Sequence, residues 1–132
     1  MEPSTLVRAV SILESQDGAR PLKSVDGVDS NNLFGIKASP NWEGKTVEAW
    51  TTEYVDNKPV KVKAKFRAYD NRQDSINDFV SLIERRYPKA YAALQEGDAE
   101  AFAKGMIAGG YATDPAYVEK LMGAIKRAEK QG

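Results

Sequence analysis

The sequence predicts an α+β domain, a helical body with a small β-hairpin lobe flanking a cleft. Three observations carry this reading. A helical stripe opens the chain, period-two alternation occupies residues 46–69, and four more helical patterns follow. Strands segregated from helices in this way mark the class. The 132 residues suit one domain spanning 1–132, with 46–69 as its lobe.

The first helix begins at Pro3, a residue suited to a first helical turn. Leu6, Val10 and Leu13 form its stripe, Val7 and Ile12 widen it, and Gly18 offers a left-handed cap. Glu14 then falls in the last turn, where the negative end of the helix dipole favours the neutral carboxyl. Residues 19–40 read as irregular, punctuated by Pro21, Gly27, Gly35 and Pro40. Within them Asn31 to Ala38 mixes apolar anchors with two amides.

Thr46 to Val55 and Val60 to Tyr69 read as strands joined by a turn at Asp56-Asn57-Lys58-Pro59. In the second strand Val60, Val62, Ala64, Phe66 and Ala68 alternate with Lys61, Lys63, Lys65, Arg67 and Tyr69, giving one apolar face and one exposed basic face. In the first, Glu53 shares a face with Val47, Ala49, Thr51 and Val55. Ile76, Phe79, Val80 and Ile83 then form a helical stripe that stops before Pro88. Pro88 opens a shorter helix through Leu94, halted at Gly97, and Asp98 caps another that carries Phe102, Met106 and Ile107 and ends at Gly109-Gly110. Asp114-Pro115 starts the last helix, with Val118, Leu121, Met122 and Ile125 as its stripe. The polar tail from Lys126 is expected to fray.

Composition narrows the function. Nineteen basic and 19 acidic residues cancel, which argues against a general nucleic-acid partner. No apolar run is long enough to insert in a membrane, and Met1 to Thr5 lack the start of a secretory signal. With no cysteine and no histidine, thiol nucleophiles, disulfides, Ser-His-Asp triads and Cys/His zinc sites are all excluded. Acid–base work falls to Asp, Glu, Lys or Tyr, and glycoside hydrolysis is the leading reaction for carboxylates near neutral pH.

Several segments together resemble glycoside hydrolase family 73. They are Ala9-Val10-Ser11-Ile12-Leu13-Glu14-Ser15, Asn32-Leu33-Phe34-Gly35-Ile36-Lys37-Ala38, Thr51-Thr52-Glu53-Tyr54, Val62-Lys63-Ala64-Lys65-Phe66-Arg67 and Gly110-Tyr111-Ala112-Thr113-Asp114-Pro115-Ala116-Tyr117. The likeness runs from about Pro3 to about Lys126, nearly the whole chain. It implies a lysozyme-like fold and cleavage of the peptidoglycan glycan strand, most often as an endo-β-N-acetylglucosaminidase. By position it implies Glu14 as general acid and Glu53 as second carboxylate. It also implies Asp78 as a further functional carboxylate, with Tyr111, Tyr117 and Asn32 at or near the sugar groove. No metal or organic cofactor is needed, a monomer is favoured, and the periplasm or cell wall is the expected place of work. The chain departs from the family pattern at Gln16-Asp17-Gly18, where Gly-Trp-Gly is usual, and has little room for a helix before the catalytic one. A peptidoglycan-binding module without turnover, and a muramidase or lytic transglycosylase, are the alternative readings.

Overall fold

The computed structural model describes residues 1–131. Among them the element order is α1 (Pro3–Ser15), β1 (Thr46–Val55), β2 (Lys58–Arg67), α2 (Arg72–Arg86), α3 (Pro88–Glu96), α4 (Ala99–Ala108) and α5 (Tyr117–Gln131). The apolar stripes converge on one core. Leu6 and Val10 of α1, Phe79 and Ile83 of α2, Phe102 and Met106 of α4, and Leu121 and Ile125 of α5 are all buried there. Each such side chain contributes about 1.5–3 kcal/mol relative to exposure. Phe34, from the long loop, lies stacked on Phe79 with ring centroids 4.2 Å apart, and Tyr111 meets Phe79 edge-on at 6.0 Å. The loop between α1 and β1 is thereby tied into the helical body.

β1 and β2 form a two-stranded antiparallel sheet, Thr46 pairing with Arg67 and Val55 with Lys58. The turn is two residues long rather than four. Asp56 and Asn57 both take positive φ (52° and 62°), as primed hairpin turns require. Lys58 and Pro59 therefore belong to β2, and Pro59 is tolerated because this strand has a free edge. The strand ends at Arg67, two residues before the expected Tyr69, because the Tyr69 amide turns to Ser30 in the loop. Only the base of the hairpin has a core of its own, Val47, Ala49 and Phe66, with Leu22, Ala64 and Ala68 against them. The tip, with Val55 and Val60, stands in solvent.

Three further expectations are corrected. α1 ends at Gln16, not at Gly18. Gln16 and Asp17 both adopt left-handed backbone, and their amides close on Ile12 and Ser11. Position 18 still favours glycine, because its backbone lies at φ +88°, where a side chain is strained. The C-terminal tail does not fray. α5 continues to Gln131, Ala128 is buried, and Arg8 Nη2 donates to Gln131 Oε1 at 3.1 Å. Finally, Arg67 does not belong to the exposed basic face of β2, since only 6% of it is accessible.

Candidate active site

A cleft of about 760 Å³ runs between the helical body and the hairpin. Glu14, Asn32, Glu53, Tyr111 and Tyr117 line it, as do Gly35, Lys37, Trp50, Thr113 and Lys120. Asp78 does not.

Glu14 reaches the cleft from the last turn of α1. The residue is exposed at the cleft, with its carboxyl set beside Gly35. Desolvation raises that carboxyl from the usual 4.5 to about 7, against the opposing pull of the Lys120 ammonium. Gly35 makes the close approach possible. It sits at φ +65°, and a Cβ there would stand 3.3 Å from Glu14 Oε2. A side chain at this position would be strained and would press on the carboxyl. Ser15, the next residue on α1, fixes the same loop with its hydroxyl 3.0 Å from the Leu33 carbonyl.

Glu53 faces the cleft from β1 on the same side as the buried Val47 and Ala49. It is paired with the Lys37 ammonium and accepts from the Thr113 hydroxyl at 3.0 Å. Thr113 Oγ1 in turn accepts from the Tyr54 amide at 3.2 Å. The far end of the hairpin is thus tethered to the segment before α5. Partial burial holds the Lys37 ammonium below its usual 10.5. On the opposite wall, Asp114 binds the Lys120 ammonium and raises its affinity for a proton.

Asn32 uses its whole amide inside the protein. Nδ2 donates to the carbonyls of Ile36 and Arg67, both at 2.9 Å, and Oδ1 accepts from the amides of Phe34 and Ile36. It shapes the turn that carries Gly35. The Tyr111 hydroxyl donates to the Phe34 carbonyl at 2.8 Å. Tyr117 is buried in the cleft wall, and its hydroxyl has no partner among the described residues. Both phenols are pushed above the usual tyrosine range, by burial first and then by nearby Glu14. Asp78 lies behind the cleft, where it receives Arg67 Nη1 at 2.9 Å and the Tyr69 hydroxyl at 2.5 Å. Asp17, the extra acid of the altered corner, turns away to Arg8 and Ser11. Among the described residues no group of three or more Asp or Glu side chains could hold a metal ion, and no helix is long and apolar enough to cross a membrane.

Sequence reasoning assigned no role to Gly35, Lys37, Thr113 or Lys120. Gly35 and Lys37 stand inside a motif that resembles the family, and Thr113 inside another, so the positions were visible while their contacts were not. Arg67 was visible as well, but alternation gave its face as exposed, whereas Trp42 and Asp78 cover it there.

The mannosyl-glycoprotein endo-β-N-acetylglucosaminidase family matches residues 2–130. The peptidoglycan hydrolase FlgJ of Vibrio parahaemolyticus is 43% identical over 130 residues, covering 98% of this chain and 41% of that protein. The exo-glucosaminidase LytG of Bacillus subtilis is 32% identical over 123 residues, covering 90% and 42%. The chain therefore spans about two fifths of the length of these curated relatives. Among solved structures, a mutant peptidoglycan hydrolase from Sphingomonas sp. A1 superposes with a TM-score of 0.81 at 37% identity, covering 94% of this chain and 83% of that one.

Proposed function

Since this chain belongs to the glucosaminidase family, glycoside hydrolase family 73, we propose that it hydrolyses the glycan strand of peptidoglycan as an endo-β-N-acetylglucosaminidase. The observation that carries this reading is the placement of Glu14 and Glu53 in the lining of one cleft, with desolvation raising the Glu14 carboxyl to about 7. A general acid needs a proton to give at working pH, and this environment supplies one.

In this reading a glycan strand lies along the cleft with its scissile bond over Glu14. The Glu14 proton passes to the departing glycosidic oxygen as the bond to the anomeric carbon lengthens. Positive charge then develops on the sugar ring. Glu53, paired with Lys37 on one oxygen and Thr113 on the other, stabilises that charge or activates the incoming water, and the sugar's own N-acetyl group can assist. Water completes the reaction, leaving a new reducing end. Trp50, 58% exposed beside the cleft, offers a flat apolar face to a sugar ring. Tyr117, buried in the helical body, backs the opposite side of the cleft. Tyr111 and Asn32 form the floor that places these groups. The polymer is found in the periplasm and the cell wall, and we assign the protein to that place.

The Glu14→Gln variant tests the reading. It is expected to fold and to release no reducing ends from purified peptidoglycan. Unchanged release rules out the assigned role. Reduction of wild-type products followed by mass spectrometry is expected to reveal terminal N-acetylglucosaminitol. A muramic terminus would make the protein a muramidase, and anhydro ends would make it a transglycosylase.

A further inference from the structure

Arg67 is a charged strand residue with 6% of its surface accessible. A guanidinium buried this deeply needs compensation for the water it has lost. Its donors go to three places, Asp78 Oδ2 at 2.9 Å, the Lys37 carbonyl at 3.2 Å and the Ser39 hydroxyl at 3.4 Å. Its carbon centre lies 4.5 Å from the centroid of the Trp42 ring. The main chain of the same residue also reaches the loop, with its amide on the Ile36 carbonyl at 3.0 Å and its carbonyl under the Asn32 amide at 2.9 Å. One residue therefore holds segment 36–39 through backbone and side chain together.

That segment adjoins both carboxylates of the site. Gly35, just before it, lies beside the Glu14 carboxyl, and Lys37, within it, pairs with Glu53. Asp78 anchors the arrangement to α2, with the Tyr69 hydroxyl on the same oxygen. Among the described residues, Arg67–Asp78 is the one ion pair that joins a strand to a helix. As a source of stability alone, a buried pair is commonly no better than apolar residues of similar volume. An apolar pair, however, could not hold the Lys37 carbonyl.

We propose that Arg67 and Asp78 form one positioning unit that fixes the Gly35–Lys37 loop, and through it sets the placement of Glu14 and Glu53. The inference rests on the glycosidase reading above. Asp78 acts through Arg67 and never touches the sugar.

Two conservative changes test it. Asp78→Asn keeps size and removes charge, and Arg67→Lys keeps charge and loses the planar fork. Each is expected to keep its circular dichroism and lose about 10- to 100-fold in kcat for reducing-end release, with KM changed by less than about twofold. The double variant is expected to be no worse than the weaker single, as for residues acting as a unit. Exchange of the Ile36 and Ala38 amides, bonded to Asn32 Oδ1 and the Lys65 carbonyl, is expected to quicken in both singles while that of α4 and α5 stays fixed. Wild-type kcat in either folded single overturns the proposal. So does loss of turnover in Asp78→Asn with full turnover in Arg67→Lys, which would put Asp78 on the substrate. If these variants do not fold, Tyr69→Phe carries the test, with a several-fold loss of kcat supporting the unit and an unchanged kcat overturning it. If the wild type itself releases no reducing ends, the glycosidase reading fails separately, and the exchange comparison still decides whether this pair holds the loop.

Discussion

The proposed chemistry rests on Glu14, and the cost of that carboxyl to the fold can be measured. A carboxyl whose folded value is raised, from 4.5 to about 7, favours folding while protonated. The corresponding stability is complete below the unfolded value near 4.5 and is lost as pH rises through about 7. Because the residue is exposed at the cleft, the loss is discounted to about 1–2 kcal/mol rather than the full conversion at 1.36 kcal/mol per unit. Glu14→Gln carries no charge to bury. It is therefore expected to match the wild type in urea unfolding at pH 4 and to exceed it by about 1–2 kcal/mol at pH 8. Equal stability at both pH values would show that the carboxyl is well hydrated. At this scale the sequence was informative for identity and uninformative for environment. Ile12-Leu13-Glu14 marked the residue, and its place in the last helical turn suggested a raised value. The dominant cause is desolvation at the cleft, whose walls include Gly35, 21 residues away in sequence (35 minus 14).

At the scale of elements, the hairpin was the most legible piece and also the one most in need of correction. Alternation located it, and the shared face of Val47, Ala49 and Glu53 was readable because strand side chains alternate strictly. Its limits shifted because Asp56-Asn57 suffices for the turn and because the Tyr69 amide turns to Ser30 in the loop. Arg67 broke the alternation because Phe66 and Arg67 are both buried where the strand runs into the body. The tip has little apolar contact of its own, so the Thr113 hydroxyl between Glu53 and Tyr54 is a principal tether there. Thr113→Val removes both hydrogen bonds at an exposed position. It is expected to lower stability by no more than about 1 kcal/mol, while kcat falls severalfold because Glu53 can turn out of the cleft. Melting temperature and reducing-end release, taken together, check this, and a kcat equal to the wild type would show that the tether is dispensable.

At the scale of the molecule, the class was legible because four helical stripes follow one strand pair and all of them face one core. The end of the chain differs from expectation because Lys126 to Gln131 is polar on average, while the single small Ala128 carries the burial. α5 is integral to the body, with Leu121 wholly inaccessible at its centre. Leu121→Ala is expected to cost about 2–5 kcal/mol in urea unfolding. A loss below about 0.5 kcal/mol, the range of surface substitutions, would contradict that place in the core. The body and the hairpin together make the cleft, and the cleft makes the acid. The most direct test of this account is the side-chain carboxyl resonance of Glu14 followed by carbon NMR across pH 3 to 9. A midpoint near 7 is expected, and a midpoint near the ordinary carboxylate value of 4.5 would contradict the account.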